Sequence, residues 1–147
     1  TTAGGTAQYE AGTPNVIGAI GLAEACRYLT RLGMENVSAH SESLGKKMCK
    51  DLRDIDGVTV YTPANAQLTG SVSFTVEGVH PHEVAYFLDE AAAIMVRSGE
   101  HCCQPLIHKL LPGKTGGTVR ASAYCYNTDD DIDMLTATVE EISRMVR

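Results

Sequence analysis

The residues with the greatest chemical potential in this chain of 147 residues lie in one stretch, Val96-Arg97-Ser98-Gly99-Glu100-His101-Cys102-Cys103-Gln104-Pro105. A cysteine attacks as its thiolate, and cations beside it favour that form. Arg97 is close in sequence, and a second arginine stands in Thr118-Val119-Arg120-Ala121-Ser122. A guanidinium also offers a planar fork that fits a substrate carboxylate. Cys102, with His101 beside it, is therefore the candidate nucleophile. Two other chemistries use the same residues. His101, Cys102, Cys103 and His108 fall within eight residues, but adjacent cysteines rarely chelate one ion and no second Cys pair follows, so no metal is expected. A Cys–His hydrolase would need a base in line with the thiol and a carboxylate to orient it. An adjacent histidine is poorly placed for the first, and the second is not evident. His40, His80 and His82 read as surface or turn residues.

The elements that must position these groups follow from periodicity. A strand is predicted over Ala93 to Arg97, an irregular stretch over Ser98 to Gly117, and a last strand over Thr118 to Cys125. In the last strand Val119, Ala121 and Ala123 alternate with Arg120, Ser122 and Tyr124, so the small apolar set faces a core and Arg120 points the other way. By the same parity Ile94 and Val96 face inward and Arg97 outward. If these two strands are neighbours, both arginines frame the loop that carries Cys102.

The rest of the chain supplies a scaffold. Thr1 to Gly12 reads as an extended arm or linker, and residues 13–147 as one small domain. After Gly12-Thr13-Pro14-Asn15 a helix carries the stripe Ala19, Leu22, Ala23, Cys26 and Leu29, ended by Gly33. Cys26 on that stripe is read as a core residue. A second helix, from about Glu35 to Ile55, turns Val37, Leu44, Met48, Leu52 and Ile55 inward, with Cys49 beside them and a Glu42–Lys46 pair outside. Asp56-Gly57 leads to a strand over Val58 to Tyr61, and a loop with Pro63 and Asn65 to another near Ser71 to Val76. Pro81 opens a third helix whose face is Val84, Phe87, Leu88 and Ala91. Thr128 and Asp131 have capping-box spacing before a final helix with the stripe Ile132, Leu135, Val139, Ile142 and Val146. These elements make an α/β fold: a small, mostly antiparallel sheet with helices packed on one face.

Composition excludes several classes. The apolar share of 44% and charged share of 20% are those of a globular chain. The longest uncharged apolar run, Val16 to Ala23, is too short to span a bilayer. With a formal charge of −6 and its basic residues scattered, the chain has no stripe suited to nucleic acid or an anionic membrane. Five cysteines without a secretion signal suit a reducing, cytoplasmic setting better than a disulfide scaffold.

The stretch Arg97 to Leu106 resembles the active-cysteine loop of the SufS-type (group II) cysteine desulfurases, which use pyridoxal phosphate. Tyr9-Glu10-Ala11-Gly12-Thr13-Pro14-Asn15 is similar to that family's Phe-Glu-Ala-Gly-Thr-Pro-Asn segment. Thr118-Val119-Arg120-Ala121-Ser122 resembles its substrate-arginine strand, and Tyr126-Asn127-Thr128 with the aspartates after it resembles the start of its last helix. The 17 residues between Cys102 and Arg120 suit group II. Glu100 stands where the family often has a second histidine, and Cys103 where a small residue is usual.

The resemblance implies the small C-terminal domain of a fold-type I pyridoxal phosphate enzyme that takes sulfur from L-cysteine, leaving L-alanine and a persulfide for iron–sulfur cluster assembly. Cys102 would accept the sulfur, Arg120 would hold the substrate carboxylate, Arg97 would line the same pocket, and His101 would sit beside the nucleophile. Thr13 would reach the cofactor phosphate of the other subunit of a homodimer, and a sulfur-acceptor protein would be a further partner. Such an enzyme needs a lysine and a phosphate cradle for its cofactor. Lys46, Lys47, Lys50, Lys109 and Lys114 lack the family's context for it, so the large cofactor domain is expected outside this chain, and the chain alone is expected to be inactive. Selenocysteine lyase, another class V aminotransferase relative, and a stand-alone sulfur carrier are the alternatives.

Overall fold

A computed structural model of the chain describes residues 4–63, 68–113 and 116–147. The chain divides into two compact units, Thr1–Val37 and Ser38–Arg147. In the first, Gly5–Tyr9 forms a 3-10 helix, so the predicted extended arm is partly helical; its first three residues lie outside the described ones. Thr13 is exposed in the bend that follows. Asn15 then caps α1 (Val16–Leu32), its side chain accepting from the Gly18 amide at 2.9 Å. Gly33 ends the helix at φ 84°, donating its N–H to the Leu29 and Thr30 carbonyls. That left-handed position favours glycine. No residue of α1 is buried and Cys26 is exposed, which corrects its assignment to a core. Periodicity defines a helix face; it does not supply the surface that covers it.

The second unit holds a four-stranded antiparallel sheet of β1 (Val58–Val60), β2 (Ser71–Val76), β3 (Arg97–Gly99) and β4 (Thr118–Ser122), in the order β1-β2-β4-β3. Val72, Phe74 and Val76 are buried on one face of β2, and Val119 and Ala121 of β4 continue that face. Onto it pack residues of α2 (Met34–Arg53), α3 (Pro81–Ala92) and α5 (Asp129–Met145): Leu44, Met48, Leu52, Val84, Leu88, Leu135 and Val139. Cys49 is buried among them and is structural. Outside, Glu42 and Lys46 pair at 2.8 Å as their spacing predicts. Lys47 bridges Asp51 and Asp133, and hydrogen bonds to those carboxylates hold its ammonium well above the ordinary lysine range. The expected architecture, with helices on one sheet face, is present.

Several boundaries differ from the sequence reading. Phe87 is 43% exposed, and Ala91 is exposed, because the buried side of the helix is Pro81, Val84 and Leu88. Val146 is exposed just beyond α5. The strand predicted over Ala93 to Arg97 begins at Arg97 instead. Ala93 closes α3 in the left-handed region, and Ile94 and Val96 pack against the core from irregular backbone. The stretch expected to be irregular contains the end of β3 and a short helix, α4 (Gln104–Leu110), with Pro105 in its first turn. The last strand ends at Ser122, although Ala123 stays buried and donates its N–H to the Gly70 carbonyl at 2.8 Å. Asn65 and Lys114 lie outside the described residues.

Between β3 and α4 the chain reverses in one tight turn. The Cys103 N–H donates to the Glu100 carbonyl at 2.9 Å, and the central residues His101 and Cys102 have φ of 52° and 57°. Two left-handed central residues are the type I′ pattern, which glycine and asparagine fill without strain. A further glycine clamps the turn: a Cβ on Gly117, at φ 75°, would strike the Gly99 carbonyl oxygen and stand 2.8 Å from the Glu100 nitrogen. Because a left-handed L-residue costs about 1–2 kcal/mol, Cys102→Gly is expected to stabilise the chain by about 0.5–1 kcal/mol after its larger unfolded-state entropy is counted. Urea unfolding of the two forms checks this, and a less stable glycine variant would contradict the strain.

Candidate active site

The register places one row of side chains across the polar face of the sheet. Arg120 of β4 lies opposite Arg97 of β3 on one side and Ser73 of β2 on the other. Both arginines are exposed, and among the described residues neither has a carboxylate partner. Like charges directly opposite on neighbouring strands destabilise a sheet. A bound anion would relieve that repulsion, and two guanidinium groups side by side suit a carboxylate.

The next position along this face is Thr118, only 1% exposed, whose hydroxyl meets His101 Nε2 at 2.9 Å. His101 Nδ1 is buried without a partner among the described residues. Burial first, then the Arg120 and Arg97 guanidinium charges, lowers the His101 pKa below its ordinary 6.5, against the opposing effect of the Thr118 backbone. The ring is therefore neutral at neutral pH. Next in the turn, Cys102 is exposed. Cys103 caps α4 half-buried, without a side-chain hydrogen bond. Glu100 turns toward α4, pairing with His108 at 3.1 Å.

The structure thus brings Arg97, Arg120, His101 and Cys102 together in the second unit, whereas Thr13 belongs to the first. Sequence reasoning left three histidines without roles. His80 caps α3 in a capping box with Glu83, and that i, i+3 spacing is visible in the sequence. His82 Nδ1 meets Ser98 Oγ of β3 at 2.8 Å, tying α3 to the strand that leads to the turn. His40 Nε2 meets the Asn127 carbonyl at 2.9 Å.

The lysines bear on whether these residues could hold pyridoxal phosphate. Lys46, Lys47 and Lys50 lie on α2, with Lys47 held charged by two carboxylates, and Lys109 is exposed on α4. A Schiff-base lysine needs a neutral amine in a desolvated pocket. Among the described lysines none is such an amine.

Comparisons with known proteins show what the chain is similar to. The chain is 41% identical over 140 residues to a protein named probable cysteine desulfurase in Methanothermobacter thermautotrophicus, covering 95% of this chain and 34% of the relative. It therefore spans about a third of that relative's length. The structure is similar to the apo cysteine desulfurase of Thermococcus onnurineus NA1, with TM-score 0.86 and 40% identity over 95% of this chain and 34% of that one. It is also similar to the cysteine desulfurase CsdA of Escherichia coli in an S-sulfonic acid form, with TM-score 0.85 and 33% identity over 100% of this chain and 35% of that one. The sequence matches the family described as aminotransferase class-V over residues 1–135, and the chain belongs to that family.

Proposed function

We propose that this chain is the small domain of a cysteine desulfurase of the SufS type, supplying the sulfur-accepting thiol and the substrate carboxylate site. The observation that carries the reading is the Arg97–Arg120 pair, without a carboxylate partner among the described residues, on the two strands next to the turn that exposes Cys102. Arg120 binds the carboxylate of L-cysteine through its planar fork, and Arg97 adds a second positive charge at its side. Pyridoxal phosphate, held by residues outside this chain, would supply the electron sink that loosens the substrate C–S bond. Cys102 Sγ forms an S–S bond to the substrate sulfur as that C–S bond breaks. The carbon keeps the electron pair and gains a proton, so alanine leaves and Cys102 holds a persulfide.

His101 gives this arrangement a useful electrostatic property. Because the ring is neutral, the positive charge on this part of the sheet face belongs to the Arg97 and Arg120 guanidinium groups, which act on His101. The remaining parts of the reading, supported by the resemblance, are Thr13 reaching the cofactor phosphate of a partner subunit, assembly as a homodimer, a cytoplasmic setting, and passage of the sulfur to an acceptor protein of iron–sulfur cluster assembly.

The complete enzyme containing this chain is expected to release alanine from L-cysteine, and Cys102→Ala to abolish both release and the protein persulfide. The chain of 147 residues, given pyridoxal phosphate and L-cysteine, should release none. Release that survives Cys102→Ala would remove the thiol from the reaction, and a strong preference for selenocysteine would favour the lyase. In the chain itself, iodoacetamide should modify Cys102 before Cys49, because Cys102 is exposed on the turn and Cys49 is buried in the core. Peptide mapping with Cys49 labelled first would contradict this.

His101 also sets a pH dependence. Its folded pKa lies below 6.5, so the unfolded chain takes up a proton first as pH falls. This contribution to stability is full above pH 6.5 and declines as pH drops through the folded value. Urea titrations from pH 7.5 to pH 5 should show about that dependence in the native chain and a flatter one in His101→Gln. Equal slopes would mean that His101 is not held neutral.

A further inference from the structure

We infer that Ser73 is a third donor to the substrate carboxylate, fixing its orientation on Arg120; the inference rests on the proposed function. β2 sends Ser71, Ser73 and Thr75 to the polar face of the sheet. The first and last of these are occupied by neighbours: Ser71 Oγ meets Ser122 Oγ at 3.0 Å, and Thr75 Oγ1 meets Tyr61 Oη at 3.2 Å. Ser73, between them, has its amide donating to Thr62 Oγ1 at 3.2 Å, while its own hydroxyl has no partner among the described residues. The residue directly across from that hydroxyl is Arg120. Directly opposite residues on antiparallel strands hold their Cβ atoms about 4.5–5.5 Å apart, so an Arg120 side chain lying across the sheet toward β2 would bring an anion on its guanidinium to the Ser73 hydroxyl.

The geometry adds something that a second arginine does not. A carboxylate has about four lone-pair sites, and a bidentate guanidinium uses two of them in one plane. Arg97 and Ser73 flank Arg120 on opposite sides of the row. A long guanidinium on one side and a short hydroxyl on the other leave the anion one preferred rotation over Arg120. For a cysteine substrate, that rotation sets which way the Cβ–S bond projects from the sheet. Ser73 is thus a substrate-binding residue whose hydroxyl contributes to orientation, and a side chain with no donor would hold the same carboxylate less tightly.

The test uses the complete enzyme with L-cysteine and compares Ser73→Ala, Ser73→Thr and Arg120→Gln. A hydrogen bond to a charged group is worth about a ten- to hundredfold change in binding. Ser73→Ala should raise KM by that factor and also lower kcat, because the C–S bond loses its fixed direction, and Ser73→Thr should restore both. Arg120→Gln should raise KM further. If Arg120→Gln leaves KM unchanged, the carboxylate site itself is wrong. If Arg120→Gln raises KM while Ser73→Ala does not, or if Ser73→Thr fails to rescue, the role of Ser73 is overturned. A measurement independent of turnover is titration of the 147-residue chain with sodium 3-mercaptopropionate, followed through the Arg120 Nε–H resonance. The expected result is weaker binding in Ser73→Ala, and an unchanged Kd would overturn the inference.

Discussion

The register of β4 between β2 and β3 is the constraint on which the rest depends. A strand alternates its side chains between faces, so a slip of one residue would bury Arg120 and expose Val119 and Ala121. Packing of Val72, Phe74, Val84 and Leu88 against Val119 on the helix side forbids that slip. Once β4 is fixed, β3 pairs with it so that the two arginines come opposite one another on the polar face. The repulsion between them is worth a fraction of a kcal/mol in water, small beside the burial of one valine, at about 1.5–3 kcal/mol. The core therefore imposes on the sheet a charge arrangement it would not adopt by itself.

The same economy of construction extends to the thiol. β3 is held from the helix side by the His82–Ser98 contact and from the polar side by His101 resting on Thr118. Each contact reaches a different element, α3 or β4, so the strand that ends in the turn is fixed on both faces. The turn then carries two L-residues in a backbone region they disfavour. Strain of that kind persists where the surroundings over-determine the conformation, and it often accompanies a functional constellation. Here it projects a cysteine side chain outward from a scaffold with little freedom to move.

Much of this was legible in the sequence because two strong periodicities carried it. Alternation in residues 118–123 gave the orientation of Arg120, and the regular stripe of the last helix placed Ile132, Leu135, Val139 and Ile142 in the core. Gly33, Pro81 and the Thr128–Asp131 spacing marked element ends through local chemistry, and the structure uses each of them. The losses have physical causes. Cys26 lies on a genuine apolar stripe, but burial is a property of a pair of surfaces and one helix encodes only its own. Ile94 and Val96 pack inward without ladder bonds, so alternation there imitated a strand. The turn at His101–Cys102 carries none of the usual glycine signal, and α4 spans only seven residues, too few for a helical period to stand out. The functional row itself appears in no single segment, since Ser73, Arg97 and Arg120 become neighbours only through strand pairing.

Gly117 shows how far the control of the site extends along the chain. It has no side chain, and the space a Cβ would need is occupied by the carbonyl of Gly99 and the amide of Glu100. Any larger residue there would act as a wedge, prising the end of β3 away from the start of β4. That displacement would be felt first by the turn and by the ring of His101 on Thr118, before it reached Val119 and the core behind it. A change at this glycine could thus silence the thiol while leaving every residue that touches substrate intact, so an inventory of inactive variants would include positions that share no contact with the reaction.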